Sequence, residues 1–279
     1  MTGGTPALTR QRLWRRALAE FLGTGLLVTV VIGSGIAAQR LSADTGLQLL
    51  ENAIATALGL GVLILLLAPV SGAHLNPAVS LVDVALGRRT RTGLTASALV
   101  AYVAAQTAGA ICGAFLANTM FAVPTSISST DRATPPTFLA EIVATAGLVV
   151  LVVGLSRHQR SMPVIATAVG SYIGAAYWFT SSTAFANPAV TIGRILTDTF
   201  AGIAPTSAAF FIGAQLIGAT IGAAFAMALF ASITPSDQNP SPRPSPRGGR
   251  PATRTRWQRA GPGRSSRRLP EVAAADIDR

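Results

Sequence analysis

The sequence contains no lysine, one cysteine and two histidines, and only 12% of its 279 residues are charged. A soluble domain carries about a quarter charged residues, so this chain holds roughly half the usual share. One cysteine, Cys112, excludes an internal disulfide and any cysteine-rich metal site. Two histidines, His74 and His158, are too few for a histidine-based metal centre, so neither a metal nor a cofactor is expected. No nucleophile–base pair stands out, which argues against an enzyme. What is abundant is apolar: half of the residues are hydrophobic and the mean hydropathy is +0.49. That balance excludes a soluble globular enzyme and a disordered regulator. The formal charge of +11 rests entirely on arginine, a usage that reflects genomic composition as readily as function.

Long apolar stretches recur at 13–38, 47–69, 93–123, 136–156, 162–182 and 205–233. Each is near or above the roughly 20 residues that cross a hydrocarbon core. The first follows Arg10, Arg12, Arg15 and Arg16 as a signal peptide would, but it exceeds a signal h-region and contains Glu20, so it is expected to be a retained helix. After residue 233 the composition turns to Pro, Ser, Gly and Arg, which cannot bury enough apolar surface to fold. The expected organisation is a cytoplasmic N-terminus (1–12), a membrane domain (13–233, halves 13–123 and 136–233) and a disordered tail (234–279).

Arginine placement sets the expected orientation. With the N-terminus inside, nineteen arginines fall on the cytoplasmic side, against Arg40, Arg132 and Arg194 on the other. Both termini are therefore expected in the cytosol of a multi-pass protein of the cell membrane, with the bilayer as its partner. The basic tail is read as solvated or touching lipid headgroups, not as binding nucleic acid.

The two halves resemble each other. Ala19-Glu20-Phe21-Leu22-Gly23-Thr24 aligns with Ala140-Glu141-Ile142-Val143-Ala144-Thr145, and Asn76-Pro77-Ala78-Val79 with Asn187-Pro188-Ala189-Val190. Ala105-Gln106 with Gly109 and Gly113 aligns with Ala214-Gln215 with Gly218 and Gly222. Three spans per half is odd, so the halves must lie in opposite orientations, as in an inverted repeat. Each Asn-Pro-Ala triplet reads as a helix start, with asparagine as cap and proline in the first turn. The helical stretches that follow, 78–86 and 189–197, are too short to span. Two half-helices entering from opposite faces would meet near the midplane, where irregular backbone is tolerated only inside protein or along a cavity. A pore follows.

The segment Ser71-Gly72-Ala73-His74-Leu75-Asn76-Pro77-Ala78-Val79 and the second Asn187-Pro188-Ala189 resemble the paired signature of the aquaporin, or major intrinsic protein, family over residues 13–233. The stretch from Tyr177 to Pro188 further resembles a bacterial subgroup associated with arsenic resistance. The resemblance implies an all-α fold of six spans plus two re-entrant half-helices, a homotetramer with one pore per subunit, and small neutral solutes as cargo. The side-chain amides of Asn76 and Asn187 would face a passing solute, with Pro77, Ala78, Pro188 and Ala189 completing the two triplets. Glu20 and Glu141 would hold the re-entrant loops, assisted by His74. Gln106 and Gln215 are read as structural, Cys112 as packing, and His158 as a solvated loop residue.

The family's constriction uses four positions, which counting from the motifs places on Thr56, Ala175, Ala184 and Val190. Most members carry arginine where this chain has Val190. The aromatic and histidine of water-selective members and the larger aromatics of glycerol-type members are also missing, although Phe185 would enter with a one-residue shift of the loop. Arg194 lies one helical turn beyond the missing charge. The expectation is a passive channel with a relaxed filter for water, glycerol-like polyols and neutral metalloid hydroxides such as arsenous acid. A water-selective aquaporin is the alternative within the class. A secondary transporter would also explain the repeat, but no intramembrane charge is left once the two glutamates are assigned to loops.

Overall fold

The computed structural model describes residues 11–90 and 93–230. The expected tail at 234–279 and most of the expected N-terminal segment lie outside the described residues. Helices appear in the order α1 (Leu13–Leu41), α2 (Thr45–Ser71), α3 (Pro77–Thr90), α4 (Ala96–Met120), α5 (Pro135–Arg157), α6 (Met162–Phe179), α7 (Pro188–Gly193) and α8 (Pro205–Leu229). A 3-10 turn, Arg194–Leu196, follows α7, and the described residues contain no strand. Six helices, α1, α2, α4, α5, α6 and α8, are long and apolar enough to cross a membrane. The protein is an all-α, multi-pass membrane protein with two shorter helices between its spans.

Local chemistry starts these helices. Asp44 accepts a hydrogen bond from the Leu47 amide at 2.9 Å to cap α2, and Thr95 accepts from Ala98 at 3.2 Å to cap α4. Thr134 and Thr137 form a reciprocal capping box on α5, whose first turn holds Pro135. Side-chain oxygens here satisfy amides that have no partner inside the helix. At its other end α2 stops at Gly72, whose φ of 91° is the left-handed conformation glycine adopts at least cost. This turn sends the chain back toward α3 instead of out of the protein.

The distribution of polarity is inside out relative to a soluble protein. Leu22, Leu26, Leu58, Val62, Leu66, Val100 and Phe225 are exposed on the outer surface, whereas Glu20, Gln106, Glu141 and Gln215 are fully buried. An apolar exterior suits hydrocarbon, and buried polar groups survive only when bonded to one another. Cys112, expected to pack, is exposed instead. Sequence position between Gly109 and Gly113 fixed its neighbours along the chain but not its direction.

Within each half, one pair of helices packs at backbone distance: α1 on α4, and α5 on α8. A Cβ added at Gly109 or Gly113 would fall on the carbonyl oxygens of Phe21 and Gly25 in α1. One added at Gly218 or Gly222 would lie 2.5 Å from the carbonyl oxygens of Ile142 and Ala146 in α5. Small residues allow such close approach, and without a hydrophobic driving force in lipid this contact supplies much of the association energy. Gly113→Ala and Gly222→Ala are each expected to destabilise the protein by about 1–3 kcal/mol through overpacking. Gly213→Ala should be neutral, because nothing lies within 4 Å of its Cβ position. Thermal unfolding of the detergent-purified variants checks this, and equal melting points for all three would refute the seam.

Candidate functional site

Two loops, Gly72–Asn76 and Ser182–Asn187, lead into α3 and α7, and each is held by a buried carboxylate. Glu20 Oε1 accepts from Ser71 Oγ at 2.6 Å and from the His74 amide at 3.0 Å. Its Oε2 accepts from the Leu75 amide at 2.6 Å and from Gln106 Nε2 at 2.7 Å. In the second half Glu141 Oε1 accepts from the Phe185 amide, and Oε2 from the Ala186 amide, each at 2.9 Å. Gln215 Nε2 donates to the same Oε2 at 2.6 Å. Each glutamine also donates onward, Gln106 to Ser80 Oγ and Gln215 to Thr191 Oγ1, tying carboxylate, loop and half-helix together. His74 adds Nδ1 to Ser80 Oγ at 3.1 Å and stands edge-on to Tyr102.

These bonds hold a strained backbone. Ala73 and Leu75 have φ of 47° and 49°, and their counterparts Ala184 and Ala186 have 48° and 47°. Left-handed backbone costs a residue with a Cβ about 1–2 kcal/mol. Charge-assisted bonds to the loop amides offset that cost, at roughly 1.5–3 kcal/mol each. None of the four positions is glycine, so the conformation depends on side-chain acceptors: the carboxylates hold the Leu75 and Ala186 amides, and Ser71 and Ser182 Oγ accept from those of Ala73 and Ala184.

The asparagines do two things at once. Asn76 Oδ1 accepts from the Ala78 amide at 2.9 Å, and Asn187 Oδ1 accepts from Ala189 at 3.0 Å and Val190 at 3.3 Å. Both therefore cap their half-helices. Their amide nitrogens cross to the opposite loop: Asn76 Nδ2 donates to Ala186 O, and Asn187 Nδ2 to Leu75 O, each at 2.7 Å. An amide NH2 has two donors, so each asparagine keeps one more. Both residues line one cavity of about 480 Å³.

That cavity extends from Leu86, Arg157 and Met162 at one end, past the two asparagines, to Tyr177, Phe185 and Arg194 at the other. Of the four positions counted from the motifs, Thr56, Ala184 and Val190 lie on its wall. Ala175 does not: it is on the exposed face of α6, and the wall there is made by Ile173 and Tyr177. These two are four residues apart and share a helix face, whereas a residue midway between them points away. Spacing from the triplet placed the level correctly but not the rotation of α6.

Tyr177, Phe185 and Arg194 complete the wall at this end. Tyr177 OH is 3.1 Å from Thr56 Oγ1. Phe185 occupies the wall beside Ala184, and its ring meets Phe211 edge-on. Arg194 is only 3% exposed, yet it lines the cavity. Its guanidinium lies 3.4 Å from the centroid of the Phe185 ring, and its Nε donates to Ala201 O. The signal for Arg194 was its i, i+4 relation to Val190, which puts both on one face of α7 and its 3-10 extension. The fixed cation absent at 190 is thus present one turn further along.

Nearby, the guanidinium of Arg132 sits 5.7 Å from the same ring and donates to the carbonyls of Phe200 and Gly202. Its neighbour Asp131 accepts from Ser207 Oγ and the Ala133 amide, and these bonds hold its carboxyl below the usual carboxylate range. His158 is exposed at the end of α5, with Nδ1 2.7 Å from Gly154 O and its ring edge-on to Phe230. Among the described residues, no group of three or more His, Cys, Asp or Glu is arranged to hold a metal.

Comparison with known proteins adds an independent line. Residues 7–184 match the family described as Major intrinsic protein. The chain is 47% identical over 236 residues to the aquaglyceroporin AqpS of Rhizobium meliloti, covering 84% of this chain and 98% of that protein. It is 30% identical to the glycerol uptake facilitator protein of Pseudomonas aeruginosa, covering 85% of this chain and 96% of the relative. The X-ray structure of the aquaglyceroporin from Plasmodium falciparum superposes with a TM-score of 0.60 at 21% identity, over 81% of this chain and 99% of that one.

Proposed function

The chain belongs to the major intrinsic protein family, and from that premise we propose that it is a passive channel for small uncharged solutes, not an enzyme or a coupled transporter. Water and glycerol-like polyols are the first solutes, in keeping with relatives named as an aquaglyceroporin and a glycerol uptake facilitator. Neutral trivalent hydroxides of arsenic or antimony are a third class of similar size and polarity.

One observation carries this reading: two asparagine-capped half-helix starts, cross-bonded through Ala186 O and Leu75 O, sit together in the wall of one cavity. Each helix start carries about half a positive charge. Two converging starts repel cations and attract solute oxygens, and the second N–H of each asparagine supplies a donor at that level. Val190 leaves room at the constriction that a long side chain would fill, while Arg194 keeps a cation in the wall, drawn back against Phe185. The combination favours molecules bulkier than water while still opposing cations. Stopped-flow light scattering on proteoliposomes, under separate water, glycerol and arsenous acid gradients, tests each solute in turn. Permeability no greater than that of empty vesicles for all three would refute the channel.

The channel body is assigned to residues 13–233, with the segment after it as an appended tail and the channel units assembled as a homotetramer in the cell membrane. Arginine placement supports cytoplasmic termini. Reporter fusions after Gly46 and Ser128 are accordingly expected to read as external, and fusions after Arg160 and Ser236 as cytoplasmic. A cytoplasmic reading after Ser128 would be incompatible with halves of opposite orientation.

A further inference from the structure

We propose that the cavity end formed by Arg194, Tyr177 and Phe185 is a binding site for a small monovalent oxyanion, seated on the guanidinium of Arg194. The inference rests on the reading of the cavity as a pore, and it adds a ligand class that a neutral-solute channel does not need.

Arg194 is nearly fully buried, and its contacts are the Ala201 carbonyl and the Phe185 ring. Neither is an anion. Its Nε is occupied, whereas its terminal nitrogens bond to no acceptor among the described residues, although the side chain lines the cavity. The Arg132 side chain, on the same ring, has among the described residues only the carbonyls of Gly202 and Phe200 as acceptors. Two guanidinium groups therefore share one aromatic ring, and among the described residues no carboxylate is paired to either. The nearby carboxylates are committed elsewhere: Glu141 to the Phe185 and Ala186 amides and Gln215, Asp131 to Ser207 and Ala133, and Asp198 to Ser128 and Ser129.

An uncompensated buried charge is costly, and a planar fork of N–H donors matches a planar oxyanion in charge and geometry. Stacking on Phe185 fixes the plane of the fork. The Tyr177 hydroxyl, bonded to Thr56 Oγ1, is also on the cavity wall and can donate to an anion when Thr56 supplies the proton of that bond, and Val190 leaves the space. One free fork and one hydroxyl suit a single negative charge on an anion as compact as nitrate, not a polyvalent or bulky ion.

Nitrate is the probe, because it is planar and does not cross membranes as a neutral acid at neutral pH. The full chain in proteoliposomes is compared in sodium nitrate and in sodium gluconate, a bulkier anion, at equal ionic strength. Glycerol flux is expected to fall about threefold when nitrate stands at about twice its Kd, and to saturate as occupancy does. Arg194→Gln should show no nitrate dependence relative to its own gluconate rate, and Arg194→Lys, which keeps the charge but not the fork, a weaker one. Flux in the native chain that is insensitive to nitrate, or equal sensitivity in Arg194→Gln, overturns the site. Should Arg194→Gln fail to insert, undiminished sensitivity in Arg194→Lys overturns it. Absence of glycerol flux in gluconate counts against the solute assignment instead, and water flux then carries the nitrate comparison.

Discussion

Glu141→Gln is expected to lose most folded channel and to reduce solute flux per unit of protein at least tenfold. Glu141 accepts from the Phe185 amide through one oxygen, and from the Ala186 amide and Gln215 through the other. A glutamine keeps one acceptor and turns the other into a donor, so at least one buried N–H would face another N–H. Charge-assisted bonds contribute about 1.5–3 kcal/mol each, and an abandoned buried donor costs about 1–3 kcal/mol more. Together these approach the 5–15 kcal/mol net stability of a typical protein. The left-handed residue Ala186 would lose the carboxylate that holds its amide, and the loop that presents Asn187 would relax. Glu51→Gln is the matched control, since Glu51 is only half-buried on α2. Size-exclusion profiles report the folded fraction and stopped-flow scattering the flux. Near-normal values for Glu141→Gln would mean that the carboxylate does not support the loop.

Val190→Arg is the second large effect, and it acts on selectivity more than on folding. Val190 is buried in the cavity wall directly after the Asn187 cap. An arginine there would project a long, rigid fork of donors into the lumen one turn before Arg194. Glycerol and arsenous acid flux are expected to fall about tenfold or more, as for a barrier raised by at least about 1.4 kcal/mol, with water retained in part. Permeabilities of native and variant channels at matched membrane abundance provide the measurement. Unchanged glycerol-to-water and arsenous-acid-to-water ratios would remove Val190 from the constriction.

The architecture was legible because it is written in residue types with few alternative uses. An asparagine followed by proline can hardly be anything but a helix start, and both triplets proved to be caps at Asn76 and Asn187. Buried glutamates at matching places in two halves had to find donors, and each found two loop amides and a glutamine. Rotation about a helix axis was much less legible. Ala175 was placed on the wrong face and Cys112, read as packing, is exposed, because six apolar helices bury most of their surface against either protein or lipid and the periodicity is weak. Arg194 was visible in the sequence, but its burial was not, since an arginine in a membrane is ordinarily expected at an interface. Only the fold shows Phe185 and Ala201 arranged to receive it.

The buried carboxylates also impose an order on biosynthesis. Glu20 emerges from the ribosome in the first span, yet its partners Ser71, Leu75 and Gln106 lie 51, 55 and 86 residues downstream. At about 5–20 residues per second, the first helix waits several seconds for Gln106. Glu141 repeats the delay, with Gln215 following 74 residues later. Each half thus begins as an apolar helix carrying one carboxylate that is costly in lipid, and it is completed only when its last helix arrives. The bonds from Asn76 to Ala186 and from Asn187 to Leu75 close over 110 and 112 residues and join the two halves. Ribosome stalling between residues 120 and 186 should therefore leave a folded first half whose Asn76 amide and Leu75 carbonyl still lack the second loop, giving membrane quality control an unpaired polar edge, not a hydrophobic patch, to recognise.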